Sequence, residues 1–198
     1  TCTTNSLPNA PSVIANRSVV PSSGGTVTFT ITAGSDTNNE QTRTLYYSTS
    51  SIGSKIKINS SPWSYEINNK TTLYFYTYDG LEYSSAKSIT INKNIKPVIS
   101  SLNITSLNEY FYNSEKEFTE GFILNPILYS DTTENKDITY YYYINFPGVN
   151  LNVATTSVNT YTIHAFQYVK PGEDFSFQVR IYDGIEYSDY IISSTYTA

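Results

Sequence analysis

Apolar residues in this chain recur at every second position, and no long run repeats at helical spacing. Val27, Phe29 and Ile31 alternate with threonines, and Leu73, Phe75 and Thr77 share one face of the segment that contains them. Phe177, Val179 and Ile181 repeat the pattern. The strongest stretch puts Ile138, Tyr140, Tyr142, Ile144 and Phe146 on one face and Thr139, Tyr141, Tyr143 and Asn145 on the other. A period of two predicts half-buried β-strands. Further strands are expected at Thr44–Ser48, Lys55–Ile58, Tyr74–Tyr78 and Lys87–Ile91. Ser22-Ser23-Gly24-Gly25 reads as a turn, and residues 33–42 as a polar loop.

The pattern occurs twice. Tyr-Asp-Gly-Leu-Glu-Tyr-Ser at 78–84 returns as Tyr-Asp-Gly-Ile-Glu-Tyr-Ser at 182–188. Ser35-Asp36-Thr37 returns as Ser130-Asp131-Thr132, and Thr44-Leu45-Tyr46-Tyr47 as Thr139-Tyr140-Tyr141-Tyr142. Motifs in one order at nearly one offset mean a duplicated domain of about a hundred residues. The fold class is therefore all-β, two tandem antiparallel β-sandwich domains, which the resemblance described next makes Ig-like: residues 1–10 an N-terminal tail, 11–94 domain 1 and 95–198 domain 2. Pro11-Ser12-Val13-Ile14 and Pro97-Val98-Ile99 open the two domains alike, since Pro at the start of an edge strand costs no ladder bond. About a dozen extra residues precede Gly121 and leave open a strand pair or a short helix. The Asp-Gly pairs predict hairpin turns. Leu45, Phe75, Tyr140, Tyr142, Phe177 and Val179 are expected to be buried.

Residues 175–188, from Phe175 to Ser188, resemble the F strand and F–G turn of fibronectin type III and related Ig-like repeats, and residues 71–84 repeat the pattern. The polar loops before Tyr46 and Tyr141 are similar to those of the same superfamily and of cadherin-like bacterial and archaeal repeats. One departure stands out: Thr71 and Phe175 occupy the position of the family's corner tyrosine. The resemblance implies the sandwich and leaves function to be argued from sites.

Composition narrows the chemistry. Charged residues are 15% of 198, the net charge is −5 and the pI 4.8, which argues against nucleic acid as a partner. No apolar run reaches membrane-spanning length, so no membrane insertion is expected. The chain contains no Met and begins Thr1-Cys2, which reads as a processed chain or a fragment. Cys2 is the sole cysteine, leaving an intermolecular bridge, a lipid attachment or a plain terminal thiol. His164, the sole histidine, lies in an alternating strand with no nucleophile or acid motif beside it. No catalytic, cofactor-binding or metal site is assigned, and no cofactor is expected.

Loop carboxylates (Asp36 with Glu40, Asp131 with Glu134 and Asp137, Asp79 with Glu82, Asp183 with Glu186) suit calcium or simple turn chemistry. Tyr46, Tyr74, Tyr76, Tyr141 and Tyr143 face away from the apolar side, as sugar-stacking or contact residues, or merely as good strand formers. Asn16, Asn59, Asn69 and Asn103 head glycosylation sequons, in a sequence rich enough in Asn, Ser and Thr to produce as many by chance.

The expectation is a non-enzyme: an extracellular structural or adhesive glycoprotein at the cell surface, most consistent with a repeating filament subunit of the thread or pilus kind found on archaea. Its partners are expected to be copies of itself in a head-to-tail homopolymer, and surface glycans. Residues 11–20, with Val13, Ile14, Val19 and Val20, form the candidate donor strand, which would close a neighbour's sandwich by main-chain bonds. A virion decoration or tail module and a carbohydrate-binding module are the alternatives.

Overall fold

The structure, a computed structural model, describes residues 5–37, 42–110, 118–129 and 137–198. The chain divides into two compact units, Thr1–Asn94 and Ile95–Ala198. The first contains β1 (Ser12–Ala15), β2 (Val19–Val20), β3 (Gly25–Thr32), β4 (Thr44–Ser48), β5 (Ile56–Ile58), β6 (Trp63–Ile67), β7 (Thr71–Tyr78) and β8 (Lys87–Lys93). One sheet runs β1-β3-β6 and the other β2-β8-β7-β4-β5. Every pairing is antiparallel except β2 on β8, which is parallel.

Alternation does the folding here. β3 buries Val27, Phe29 and Ile31, and β7 buries Leu73, Phe75 and Thr77. Val13, Val20, Ile58, Ile67 and Ile91 complete the core between the sheets. Phe29 lies 5.3 Å from Phe75 and 5.8 Å from Trp63, ring centre to ring centre. Leu45 is only half-buried and packs against this core from its margin.

The second unit contains β9 (Ile99–Tyr110), β10 (Phe118–Leu128), β11 (Thr139–Phe146), β12 (Val149–Thr156), β13 (Tyr161–His164), β14 (Asp174–Tyr182), β15 (Ile191–Ile192) and β16 (Tyr196–Thr197), with one 3-10 turn at Ala165–Gln167. Its sheets run β9-β10-β13 and β12-β11-β14-β15, with β16 also on β14. Tyr140, Tyr142, Phe177 and Val179 are buried as expected, with Phe122, Leu124, Ile144, Ile163 and Ile181. The extra residues before Gly121 lengthen β9 and β10 into an antiparallel pair that runs from Ile99 to Tyr110 along β9; residues 111–117 lie outside the described residues. Both units are Ig-like antiparallel sandwiches, so the chain is all-β and tandem.

The Asp-Gly motifs differ from the expected tight turn. Tyr78 bridges Tyr83 and Tyr182 bridges Tyr187, so each motif is a small closed loop between strands. Gly80 at φ +104° and Gly184 at φ +89° take the left-handed conformation that the loop requires.

Candidate functional site

The N-terminal edge of domain 1 is the first candidate. β1 lies on β3 with Val13 opposite Ile31 and Ile14 opposite Thr30. Between Ala15 and Val19 the chain crosses to the other sheet. There β2 pairs with β8, and the N–H groups of Asn92 and Asn94 donate to the carbonyls of Ser18 and Val20 at 2.9 and 2.8 Å. Residues 12–20 thus supply the outermost strand of both sheets. Of the four donor-strand candidates, Val13 and Val20 are buried, Val19 is half-buried and Ile14 is 67% exposed. The single chain seats the segment in its own domain.

Residues 5–10, read above as a tail, are tied to the loops of the same domain. Asn9 donates its backbone N–H to the Ser35 carbonyl at 2.8 Å, and its amide to Ser35 Oγ. Ser6 Oγ donates to Asp36 Oδ1 at 3.0 Å and bonds the Thr37 hydroxyl. The Asn5 amide reaches Asp79 Oδ2 at 3.0 Å and Glu82 Oε2 at 3.2 Å. Gly34 makes this approach possible, since a Cβ there would stand 1.9 Å from the Asn9 carbonyl oxygen.

Domain 2 handles the same edge differently. β9 stays on β10 and never crosses between the sheets. A cleft of about 530 Å³ remains, lined by Leu102, Ile104, Ile191, Ile192 and Tyr196 among others. Domain 1 closes its seam with Val20, which is wholly buried.

The Asp-Gly loops are structural. Asp79 Oδ1 accepts the N–H groups of Leu81 and Glu82 at 2.7 Å each, and Asp183 Oδ1 those of Ile185 and Glu186 at 2.9 Å. The N–H of Glu82 in particular holds the Asp79 carboxyl below its ordinary range, with help from the Asn5 amide. Ser84 and Ser188 accept the N–H groups of Thr77 and Ile181 at 3.0 Å, completing a shared loop scaffold. Among the described residues no three His, Cys, Asp or Glu converge as metal ligands. Glu40, Asp131 and Glu134 lie outside the described residues, as does Cys2. His164 sits on β13 opposite Gly121, where the missing side chain leaves room for the imidazole. The four sequon residues, Asn16, Asn59, Asn69 and Asn103, are exposed, and Asn16 Oδ1 accepts the N–H of Thr28.

The second candidate is the outer face of the larger sheet. In domain 1, Tyr46 packs edge to face against both Tyr78 and Tyr83, and Lys55 Nζ lies 4.7 Å from the Tyr76 ring centre and 4.8 Å from that of Tyr83. Tyr76 is buried although it points outward, because its neighbours cover it. In domain 2, the Arg180 guanidinium lies 4.1 Å from the Tyr187 ring centre, 4.9 Å from Tyr190, 5.5 Å from Tyr141 and 5.8 Å from Tyr143. The tyrosine alternation pointed to Tyr141 and Tyr143, but Arg180, Lys55, Tyr187 and Tyr190 were missed. The signal was present in the repeat: Arg180 stands where domain 1 has Tyr76, Tyr143 where it has Ser48, and Tyr190 where it has Ala86.

No family model matches the sequence, and no curated protein matches it. The structure is similar to a two-domain fibronectin type III segment from chicken tenascin, at 13% identity and a TM-score of 0.40, covering 96% of this chain and 99% of that one. It is also similar to the FN1-FN3 domains of chicken CNTN1, at 12% identity and a TM-score of 0.34, covering 96% of this chain and 66% of that one.

Proposed function

We propose that this chain is a non-catalytic extracellular structural protein, the repeating subunit of a cell-surface filament whose copies join head to tail by exchange of residues 12–20. The observation that carries the reading is that these residues form the outermost strand of both sheets of domain 1. Another copy's segment could replace them without breaking any other strand pairing. Exchange makes and breaks the same main-chain bonds and the same burial of Val13 and Val20, which is why swapping an edge element is a low-cost route to assembly. Domain 2 supports it from within the chain, since it keeps a full core with no segment that crosses between its sheets as residues 12–20 do, among the described residues. Residues 5–10 would travel with the strand and rebuild their bonds to Ser35, Asp36 and Asp79 on the acceptor.

The test is truncation and rescue. A chain starting at Gly24 should lose polymerisation, and a synthetic peptide of residues 9–21 should bind it and raise its melting temperature. Filaments formed equally well by the truncated chain would overturn the exchange.

A further inference from the structure

Arg180 carries a charge that no carboxylate answers among the described residues. Its guanidinium lies among four tyrosine rings, its Nε is buried, and none of its N–H groups has an acceptor among the described residues. The Asp189 carboxylate, one residue before Tyr190, is engaged at 2.6 Å by Lys96. Cation–π contact stabilises such a group, but it leaves the planar fork of donors unused. Arg180 as a whole is half-buried on the outer face of the sheet. Tyr187 and Tyr190 flank it at 40% and 42% exposure, so ring surface is available beside the charge.

The rest of the face is rich in amides, with one carboxylate at its end, Asp174 at the start of β14, which accepts the Thr197 hydroxyl at 2.7 Å. Gln178, Asn145, Asn150 and Asn152 share the side of the sheet that carries Tyr141, Tyr143 and Arg180. Asn150 donates to Gln178 Oε1 at 2.9 Å, forming a short amide row across three strands. Hydroxyl-bearing ligands match amides that both donate and accept, and aromatic rings beside them stack on sugar faces. A guanidinium fork adds selectivity for a carboxylate or sulfate. Tyr141 and Tyr190 are held above the ordinary phenol range, Tyr141 chiefly by its hydrogen bond with Tyr187 and Tyr190 chiefly by burial, so both remain neutral donors.

We infer that the outer face of β11 and β14 in domain 2 is a binding site for an acidic saccharide, with Arg180 taking the acid group and Tyr187 and Tyr190 flanking the ring. β11 is paired along both sides, by β12 and by β14, which favours a sugar lying on the face over an extended acidic peptide added at an edge. The site belongs to domain 2 alone, since the equivalent of Arg180 in domain 1 is the buried Tyr76. It stands apart from the manner in which copies join.

The experiment titrates the full chain, by calorimetry, with three tetrasaccharides: one containing glucuronic acid, one sulfated, and one neutral. The acidic probes should bind and the neutral one should bind at least tenfold more weakly; whichever acidic probe is tighter identifies the source of the charge. Arg180→Tyr, which restores the residue domain 1 uses, should abolish the preference while leaving melting temperature and polymerisation unchanged. Tyr190→Ala, which also copies domain 1, should weaken acidic binding several-fold. Equal binding of all three probes, no binding at millimolar saccharide, or an Arg180→Tyr chain that binds like the parent would overturn the site. Loss of self-association in Arg180→Tyr would show that the acid comes from a second copy, and would also overturn it.

Discussion

Phe75 sits where the two sheets of domain 1 meet, wholly buried, its ring 5.3 Å from Phe29 and 6.0 Å from Trp63. Replacing it with alanine removes the ring and leaves a void that these stiff aromatic neighbours cannot fill. Substitutions of this kind cost about 3–5 kcal/mol. For a domain of about ninety residues, an unfolding entropy near 2 cal/mol/K per residue makes the loss about 15–25 °C in melting temperature. The assay is built into the sequence. Trp63 is the sole tryptophan and packs against Phe75, so selectively excited fluorescence follows the unfolding of domain 1 without domain 2. Ile52→Ala is the control: that side chain is 96% exposed and should change stability by no more than about 0.5 kcal/mol. A Phe75→Ala cost below about 1 kcal/mol, or an equal cost for Ile52→Ala, would refute the core assignment.

Other expectations follow from the same structure. Val20→Ala deletes two buried carbon atoms that close the domain 1 seam and should cost about 1–2 kcal/mol in denaturant unfolding. Gly34→Ala should push the Asn9 carbonyl aside and free residues 5–10, read as faster proteolysis of that segment with the core transition little changed. Because Asp79 titrates below its ordinary value of 3.8 in the folded chain, its contribution is present above that pH and is lost as pH falls through the lower folded value. Asp79→Asn should therefore destabilise the protein at neutral pH, with the gap to the parent closing in acid. Tyr142 is held well above the usual phenol range, first by burial and then by Tyr140, so it should resist ionisation in an alkaline absorbance titration until the domain unfolds.

The fold was legible because alternation and duplication agree at every level. Val27, Phe29 and Ile31 face inward as their spacing requires, and the two Tyr-Asp-Gly copies occupy equivalent loops. Short edge pieces were harder to read. β2 is two residues long, and its parallel pairing with β8 joins positions too far apart in sequence for local pattern to reveal. β12 alternates Asn with Val and Leu at a sheet edge where neither face is fully covered, so its strand signal is weak. The bonds of residues 5–10 could not be read from their polar composition, since Asn5, Ser6 and Asn9 meet loop partners far along the chain, and only the contact of Gly34 with the Asn9 carbonyl has a glycine to mark it. The candidate saccharide face escaped because a single Arg among tyrosines has no spacing rule; only comparison of the two repeats singles it out.

The exchange of residues 12–20 is open to one direct measurement. Ile14 and Thr30 face each other across β1 and β3, and directly opposed positions of an antiparallel pair lie within disulfide reach. In a chain carrying Ile14→Cys and Thr30→Cys, with Cys2→Ser to remove the native thiol, oxidation under filament-forming conditions fixes whichever strand occupies the seat. A covalent ladder of dimers, trimers and higher species on a denaturing gel is the predicted result. A single monomeric band, cross-linked within the chain at every concentration, would contradict the account.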